Sequence, residues 1–206
     1  MTRIFLHGLG QTAQSWERTL ACLKDENMSV CLPLSEFVKP GAVTYPELYA
    51  ALCEYCGGFS GPVELCGLSL GTVLALNYAI DNPEKVSSLA LIAPQYRMPK
   101  TLLLFQNLVF HLMPKAAFRS TGFEKQDMIR LCGSMARLDF REDLLKVRCP
   151  VLVLCGEKDR ANRKAARQLV TELKNARLCL IPHAGHEVNL DAPEELAKAL
   201  QLHFRS

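Results

Sequence analysis

Three runs in this chain are apolar almost without a break: Ser88-Leu89-Ala90-Leu91-Ile92-Ala93, Cys149-Pro150-Val151-Leu152-Val153-Leu154-Cys155 and Leu178-Cys179-Leu180-Ile181. A strand with one face in water alternates apolar and polar residues, whereas a strand covered on both faces does not. Helical patterns fill the intervals, at about Ala161 to Lys174 and at Pro193 to Phe204. Strands alternating with helices require crossover connections and hence a mainly parallel sheet. The expected class is α/β, a three-layer arrangement with helices on both faces of that sheet.

The N-terminal half fits the same plan. Arg3 to Leu6 reads as the first strand, ending in the glycine-rich turn His7-Gly8-Leu9-Gly10, with a helix from about Ala13 to Lys24. Ser29 to Leu34 is a short second strand. Thr44-Tyr45-Pro46-Glu47 reads as a capping box, its hydroxyl and carboxylate each covering backbone N–H groups. The helix it opens carries Leu48, Ala51, Leu52 and Tyr55 on one face and stops at Gly57. Val63 to Cys66 is a third strand, followed by a helix that ends near Asp81-Asn82-Pro83. Only the stretch from Gln95 to about Arg148 breaks the alternation, with helical patterns at Leu102 to Met113 and Lys125 to Leu138 separated by Pro114 and Gly122. An insertion of that length between strands suggests a functional lid. The domain reading is therefore one domain over 1–206 with 95–148 as a small helical cap.

Composition limits the partners. A chain of 206 residues, 49% hydrophobic and 22% charged, suits one globular domain with a sizeable core. A net charge of +3, with no long basic block, gives no sign of nucleic-acid binding. The most apolar segment, Leu102 to Met113, is interrupted by Gln106, Asn107 and His111, so no membrane span is expected. The N-terminus enters a strand at once and leaves no room for a signal peptide, which gives a cytoplasmic expectation. Of the nine cysteines, Cys31, Cys66, Cys155 and Cys179 lie in apolar runs, where a free thiol acts as a small hydrophobe. Cys53-Glu54-Tyr55-Cys56 has redox or zinc spacing, but no second pair matches it, and reduced structural thiols are the simpler reading.

The chemistry centres on Gly67-Leu68-Ser69-Leu70-Gly71, which directly joins the third strand to its helix. A serine on so tight a turn is pushed out of the sheet edge, and side chains at the flanking glycines would collide with strand and helix. A serine hydroxyl needs a base, and the base needs an acid to fix its tautomer. Parallel sheets place such groups beyond strand C-termini. Asp159 in Gly156-Glu157-Lys158-Asp159 and His186 in Pro182-His183-Ala184-Gly185-His186 both stand there. Glu157 competes with Asp159, which is also placed to cap the following helix. His183 and His186 form an H-x-x-H with no third ligand apparent, so no metal is expected. His7 is read as bracing its turn, and Trp16 as a core aromatic.

Three separated motifs, His7-Gly8-Leu9-Gly10, Gly67-Leu68-Ser69-Leu70-Gly71, and Gly185-His186 with Asp191-Ala192-Pro193-Glu194-Glu195-Leu196, together with Asp159, resemble the α/β-hydrolase superfamily along nearly the whole chain. The likeness is to its small esterase-like members with an inserted cap. Many relatives carry one or two strands before the His-Gly turn; this chain begins at that strand, so an N-terminally trimmed sheet is expected. The resemblance implies a triad of Ser69, Asp159 and His186, with His186 at the family position rather than His183. It implies an oxyanion hole made by the backbone N–H groups of Leu70 and Leu9, with Gly10 an alternative to Leu9. The function expected is a serine hydrolase cleaving a small or medium carboxylic ester through an acyl-enzyme, without a cofactor. The apolar cap residues Phe105, Leu108, Val109, Leu112 and Met113 suggest an apolar acyl or alcohol group, or equally plain packing. The same triad also serves thioesterases, C–C hydrolases, lyases and acyltransferases, and a ligand receptor built on this fold is the rival from another class. Oligomeric state is not legible.

Overall fold

A computed structural model describes residues 1–23, 28–39, 41–98 and 108–205. Six parallel strands form one sheet in the order β2-β1-β3-β4-β5-β6: β1 Thr2–Leu6, β2 Met28–Leu32, β3 Val63–Leu68, β4 Val86–Ile92, β5 Val151–Gly156 and β6 Ala176–Ile181. The helices are α1 Glu17–Cys22, α2 Tyr45–Gly57, α3 Leu70–Asp81, α4 Lys125–Met135, α5 Arg163–Glu172, the short α6 Val188–Asp191 and α7 Pro193–Phe204. The Ala13 to Lys24 helix of the sequence reading is a 3-10 turn, Ala13–Trp16, running into α1. Lys24 lies outside the described residues.

The inner strands are buried on both faces, and their alternation divides the core into two layers. Ile4, Leu6, Leu65, Leu89, Leu91 and Val153 point to the side of α2, α3 and α5, where Leu48, Leu52, Leu74 and Leu169 meet them. Phe5, Cys66, Leu68, Ala90, Ile92 and Leu154 point the other way, onto Trp16, Leu196 and Leu200. Each of the Val, Leu, Ile and Phe side chains contributes about 1.5–3 kcal/mol by leaving water. Trp16 is fully buried, and its ring meets that of Phe5 at a tilt, with centroids 5.1 Å apart.

One row of polar side chains crosses that second layer near the strand beginnings. Arg3 pairs in register with Glu64, and Glu64 with Ser88. The buried Arg3 guanidinium donates through Nε to Glu64 Oε2 at 2.8 Å and lies 4.0 Å over the Phe204 ring. Neighbouring His203 of α7 donates from Nε2 to the Leu89 carbonyl at 3.0 Å and sits 2.9 Å from Ser88 Oγ.

The capping box is corrected by the structure. Thr44 Oγ1 donates to Glu47 Oε2 at 2.8 Å, and neither side chain caps the backbone. The Tyr45 N–H is taken instead by Ser134 Oγ of α4 at 2.8 Å, a tertiary partner that local sequence does not reveal. Between β4 and β5, the described residues hold no strand beyond an isolated bridge of Arg97 with Asp139. They include the helical residues 108–112, a 3-10 helix at Lys115–Thr121 and α4. The earlier part of the Leu102 to Met113 pattern, with Phe105, lies outside the described residues. All nine cysteines are free thiols, and burial pushes Cys56 up to about 12. Among the described residues no helix is long and apolar enough to cross a membrane.

Candidate active site

Ser69 sits between β3 and α3 with φ 53° and ψ −108°. Positive φ with negative ψ lies outside every region an L-residue occupies comfortably, and such strain costs about 1–3 kcal/mol. The surroundings enforce it. The Ser69 N–H donates to the Ile92 carbonyl at 3.0 Å, and the Ser69 carbonyl accepts the N–H groups of Thr72 and Val73. Thr72 Oγ1 bridges the turn by donating toward the carbonyls of Gly67 at 2.7 Å and Ile92 at 2.9 Å. Both flanking glycines are obligatory. A Cβ at Gly67 would stand 2.2 Å from the Gly71 carbonyl oxygen, and one at Gly71 would stand 2.1 Å from that of Leu6. The first turn of α3 thus rests directly on the end of β1.

That contact brings the His7-Gly8-Leu9-Gly10 turn beside the serine. A Cβ at Gly8 would lie 3.5 Å from Ser69 Cβ. Gly10, at φ 89°, closes the turn, and the Gln11 N–H donates to the Gly8 carbonyl at 3.1 Å. His7 is buried and bridges two strand ends. Its Nε2 accepts the Leu34 N–H at 3.2 Å, so the proton is on Nδ1, which donates to the Gly8 carbonyl at 2.9 Å. Burial, against the raising effect of that carbonyl, holds this imidazole below its ordinary range and neutral. The N–H groups of Leu9 and Leu70 donate no hydrogen bond among the described residues. Leu70 opens α3, where the first amides have no intrahelical acceptor.

Asp159 and His186 meet beyond the ends of β5 and β6. His186 Nδ1 donates to Asp159 Oδ2 at 2.9 Å. Asp159 is buried, with 5% of its surface exposed, while His186 keeps 44% of its side chain open to solvent. Burial would raise the Asp159 carboxyl, but hydrogen bonds from His186 and Asn162 outweigh it and hold the group below the usual carboxylate range. Close packing seats the two loops: a Cβ at Gly156 would fall 2.1 Å from the Gly185 carbonyl oxygen. The Lys158 N–H donates to the Ala184 carbonyl at 2.9 Å, and the Gly185 N–H to Asp191 Oδ2 at 2.7 Å. Asp191 of the third motif is therefore a staple for the histidine loop. Glu157 is exposed and accepts the His183 N–H at 3.3 Å; His183 itself is exposed, at φ 63°.

The Leu9 turn and Ser69 thus come together, as do Asp159 and His186. The Ser69 hydroxyl makes no hydrogen bond among the described residues, to His186 or to any other group. Gln11 ties the two halves: its Nε2 donates to Glu187 Oε1 at 3.0 Å and Asn189 Oδ1 at 3.1 Å, both beside His186 in the chain. The sequence reading passed over Gln11, Asn162 and Gln95. For Asn162 a signal existed, an amide three residues after Asp159. Of the apolar cap set, Leu108 and Leu112 are exposed, at 58% and 79%, while Phe110 packs edge-on to Phe118 at 5.5 Å. No three His, Cys, Asp or Glu side chains gather as a metal site among the described residues.

Residues 4–199 match the alpha/beta hydrolase family. The chain belongs to that family. Among relatives of this alpha/beta hydrolase is monoacylglycerol lipase abhd6-B of Xenopus laevis, 22% identical over 96% of this chain and 73% of its own length. A hydrolase from Pseudomonas aeruginosa PA01 superposes with a TM-score of 0.85 at 17% identity, covering 100% of this chain and 90% of its own. A thermophilic esterase from Thermogutta terrifontis gives 0.80 at 22% identity, covering 100% and 89%. The six-stranded parallel sheet with helices on both faces is the open α/β-hydrolase sheet. The activity class is that of a hydrolase of this family.

Proposed function

We propose that this alpha/beta hydrolase is a serine hydrolase cleaving a small or medium carboxylic ester through an acyl-enzyme. The observation that carries the reading is the strained turn at Ser69 beyond the end of β3, with the Asp159–His186 pair beyond the ends of β5 and β6 on the same rim of the parallel sheet. In this reading Ser69 Oγ attacks the ester carbonyl while His186 Nε2 takes its proton. The N–H groups of Leu9 and Leu70, which have no other acceptor among the described residues, receive the negative charge that develops on the carbonyl oxygen. Losing one such donor costs about 3 kcal/mol of barrier. His186 then protonates the departing alcohol, and afterwards draws a proton from the water that releases the acid. Asp159 fixes the imidazole tautomer, with the proton on Nδ1, and offsets its positive form.

Residues 95–148 would form the cap over this site. Phe110 and Met113 pack against the core layer, while the exposed Leu108 and Leu112 are the apolar side chains left to meet an apolar acyl or alcohol group. The names of the relatives, a monoacylglycerol lipase and an esterase, agree with ester chemistry. A fluorophosphonate probe tests the nucleophile: wild type takes the label at Ser69 and Ser69→Ala does not. Equal labelling of the two proteins removes Ser69 from the mechanism. p-Nitrophenyl esters of increasing chain length, run beside acyl-CoA thioesters, test the bond. Turnover of neither series rejects the ester assignment.

A further inference from the structure

The Asp159 carboxylate is held by more than the histidine. Asn162 lies three residues on, just before α5, and is 7% exposed. Its side-chain Nδ2 is 3.0 Å from Asp159 Oδ1 and 2.8 Å from Oδ2, and its backbone N–H donates to Oδ1 at 3.2 Å. The same Nδ2 stands 3.0 Å from His186 Nδ1. Two N–H groups from different loops therefore converge on one carboxylate oxygen. The amide orientation follows from its neighbours. An ionised Asp159 only accepts, so Asn162 must turn its NH2 toward it. The oxygen left on the far side accepts Gln95 Nε2 at 2.7 Å. Gln95 stands three residues beyond the end of β4, after Ala93, which has φ 51° and donates its N–H to the Leu154 carbonyl at 2.9 Å.

We propose that Asn162, oriented by Gln95, is a positioning residue for the acid–base pair: it locks the Asp159 carboxylate so that Oδ2 faces His186 Nδ1. This rests on the triad reading above and adds a tie between the acid and the first residue of segment 95–148. Without the amide the carboxylate keeps the Asn162 backbone N–H on Oδ1 but loses the side-chain donor that spans both oxygens, so its last torsion is held less tightly and the imidazole has a less firmly fixed partner. Lys158 and Arg160, which flank Asp159 in the chain, are exposed, and several other charged groups on the surrounding elements have partners elsewhere. Glu187 accepts from Gln11, Glu157 from the His183 N–H, Asp191 from the Gly185 N–H, and Arg163 donates to the Glu157 carbonyl.

The test is the second-order rate of fluorophosphonate labelling at Ser69 from pH 5 to 9, in wild type, Asn162→Leu, Asn162→Ser, Gln95→Leu and His186→Ala. For Asn162→Leu the plateau rate is expected to fall about tenfold, the penalty typical of a displaced catalytic group. Asn162→Ser keeps one donor and should recover part of that loss, and Gln95→Leu should show a smaller loss. A residue that only supports the fold would slow labelling only in step with its loss of melting temperature, and Asn162→Ser would then label no faster than Asn162→Leu; that result overturns the proposal. So does Asn162→Leu labelling within twofold of wild type at every pH. If Asn162→Leu does not fold, Asn162→Ser and Gln95→Leu, at a half-buried position, supply the same readouts and decide. Failure of wild type to label, or His186→Ala labelling at the wild-type rate, brings down the triad reading itself. Normal wild-type labelling with an unmoved Asn162→Leu profile brings down this inference alone.

Discussion

Replacing Ser69 by glycine should make this protein more stable while removing its nucleophile. The backbone at residue 69 is held at φ 53° and ψ −108°, a conformation glycine reaches without a Cβ clash. Relief of that strain is worth about 1–3 kcal/mol. Against it stands the extra freedom that glycine gives the unfolded chain, about 0.4–1 kcal/mol. The net gain is about 1 kcal/mol, or roughly 2–4 °C in melting temperature for a chain of this size. The proper reference is Ser69→Ala rather than wild type, because alanine also removes the hydroxyl but keeps the Cβ and hence the strain. Since the Ser69 hydroxyl makes no hydrogen bond among the described residues, Ser69→Ala should melt close to wild type. Thermal unfolding followed by circular dichroism, with urea titrations to check that the slope is unchanged, measures the difference. If Ser69→Gly melts at or below Ser69→Ala, the turn is not strained in solution and the geometric argument for this serine loses its basis.

Gly156→Ala would drive a Cβ to 2.1 Å from the Gly185 carbonyl oxygen and 2.4 Å from that of Ala184. Neither backbone can yield without moving the histidine loop, so a stability loss of about 1–3 kcal/mol is expected, with fluorophosphonate labelling at least tenfold slower than wild type. Arg3→Met breaks the buried Arg3–Glu64 ion pair and should cost about 3–5 kcal/mol, read from the urea midpoint. Burial lowers His203 to about 4, from 6.5 when exposed. Above pH 6.5 the folded and unfolded chains both hold it neutral. Between that pH and about 4 only the unfolded chain takes the proton, so stability should fall with a slope of up to one proton. In His203→Gln, urea midpoints at pH 7.5, 5.5 and 4.5 should lack that component; an undiminished slope assigns the acid loss to other groups.

Much of the fold could be read from side-chain pattern because the inner strands are covered on both faces. Ser88 to Ala93 could scarcely be anything but a buried strand, and β4 runs from Val86 to Ile92. The last helix matched at both ends, with Pro193 opening it and Phe204 closing it. What local sequence could not supply was partnership across the chain. Thr44 and Glu47 have the right spacing for a capping box, yet their side chains bond each other, and the Tyr45 amide at this helix start is taken by Ser134 from a distant part of the chain. The same holds around the candidate site. Ser69, Asp159 and His186 stand out because each follows a strand end in a recognisable turn. Gln95 and Asn162 are ordinary polar residues until the sheet brings the end of β4 beside the start of α5. Pro94-Gln95-Tyr96-Arg97 carries no acid, yet its glutamine reaches the acid's neighbour.

The polar row from Arg3 through Glu64 to Ser88 lies at the opposite end of the strands from the serine, yet it governs how accurately the serine is placed. Sliding β3 by one residue against β1 would turn the Glu64 carboxylate into the other, more apolar layer and away from the Arg3 guanidinium. Such a slip breaks a buried ion pair. The row therefore works as a keyway: it admits a single alignment of the central strands, and that alignment delivers Gly8 and Ser69 to the same height at the far rim.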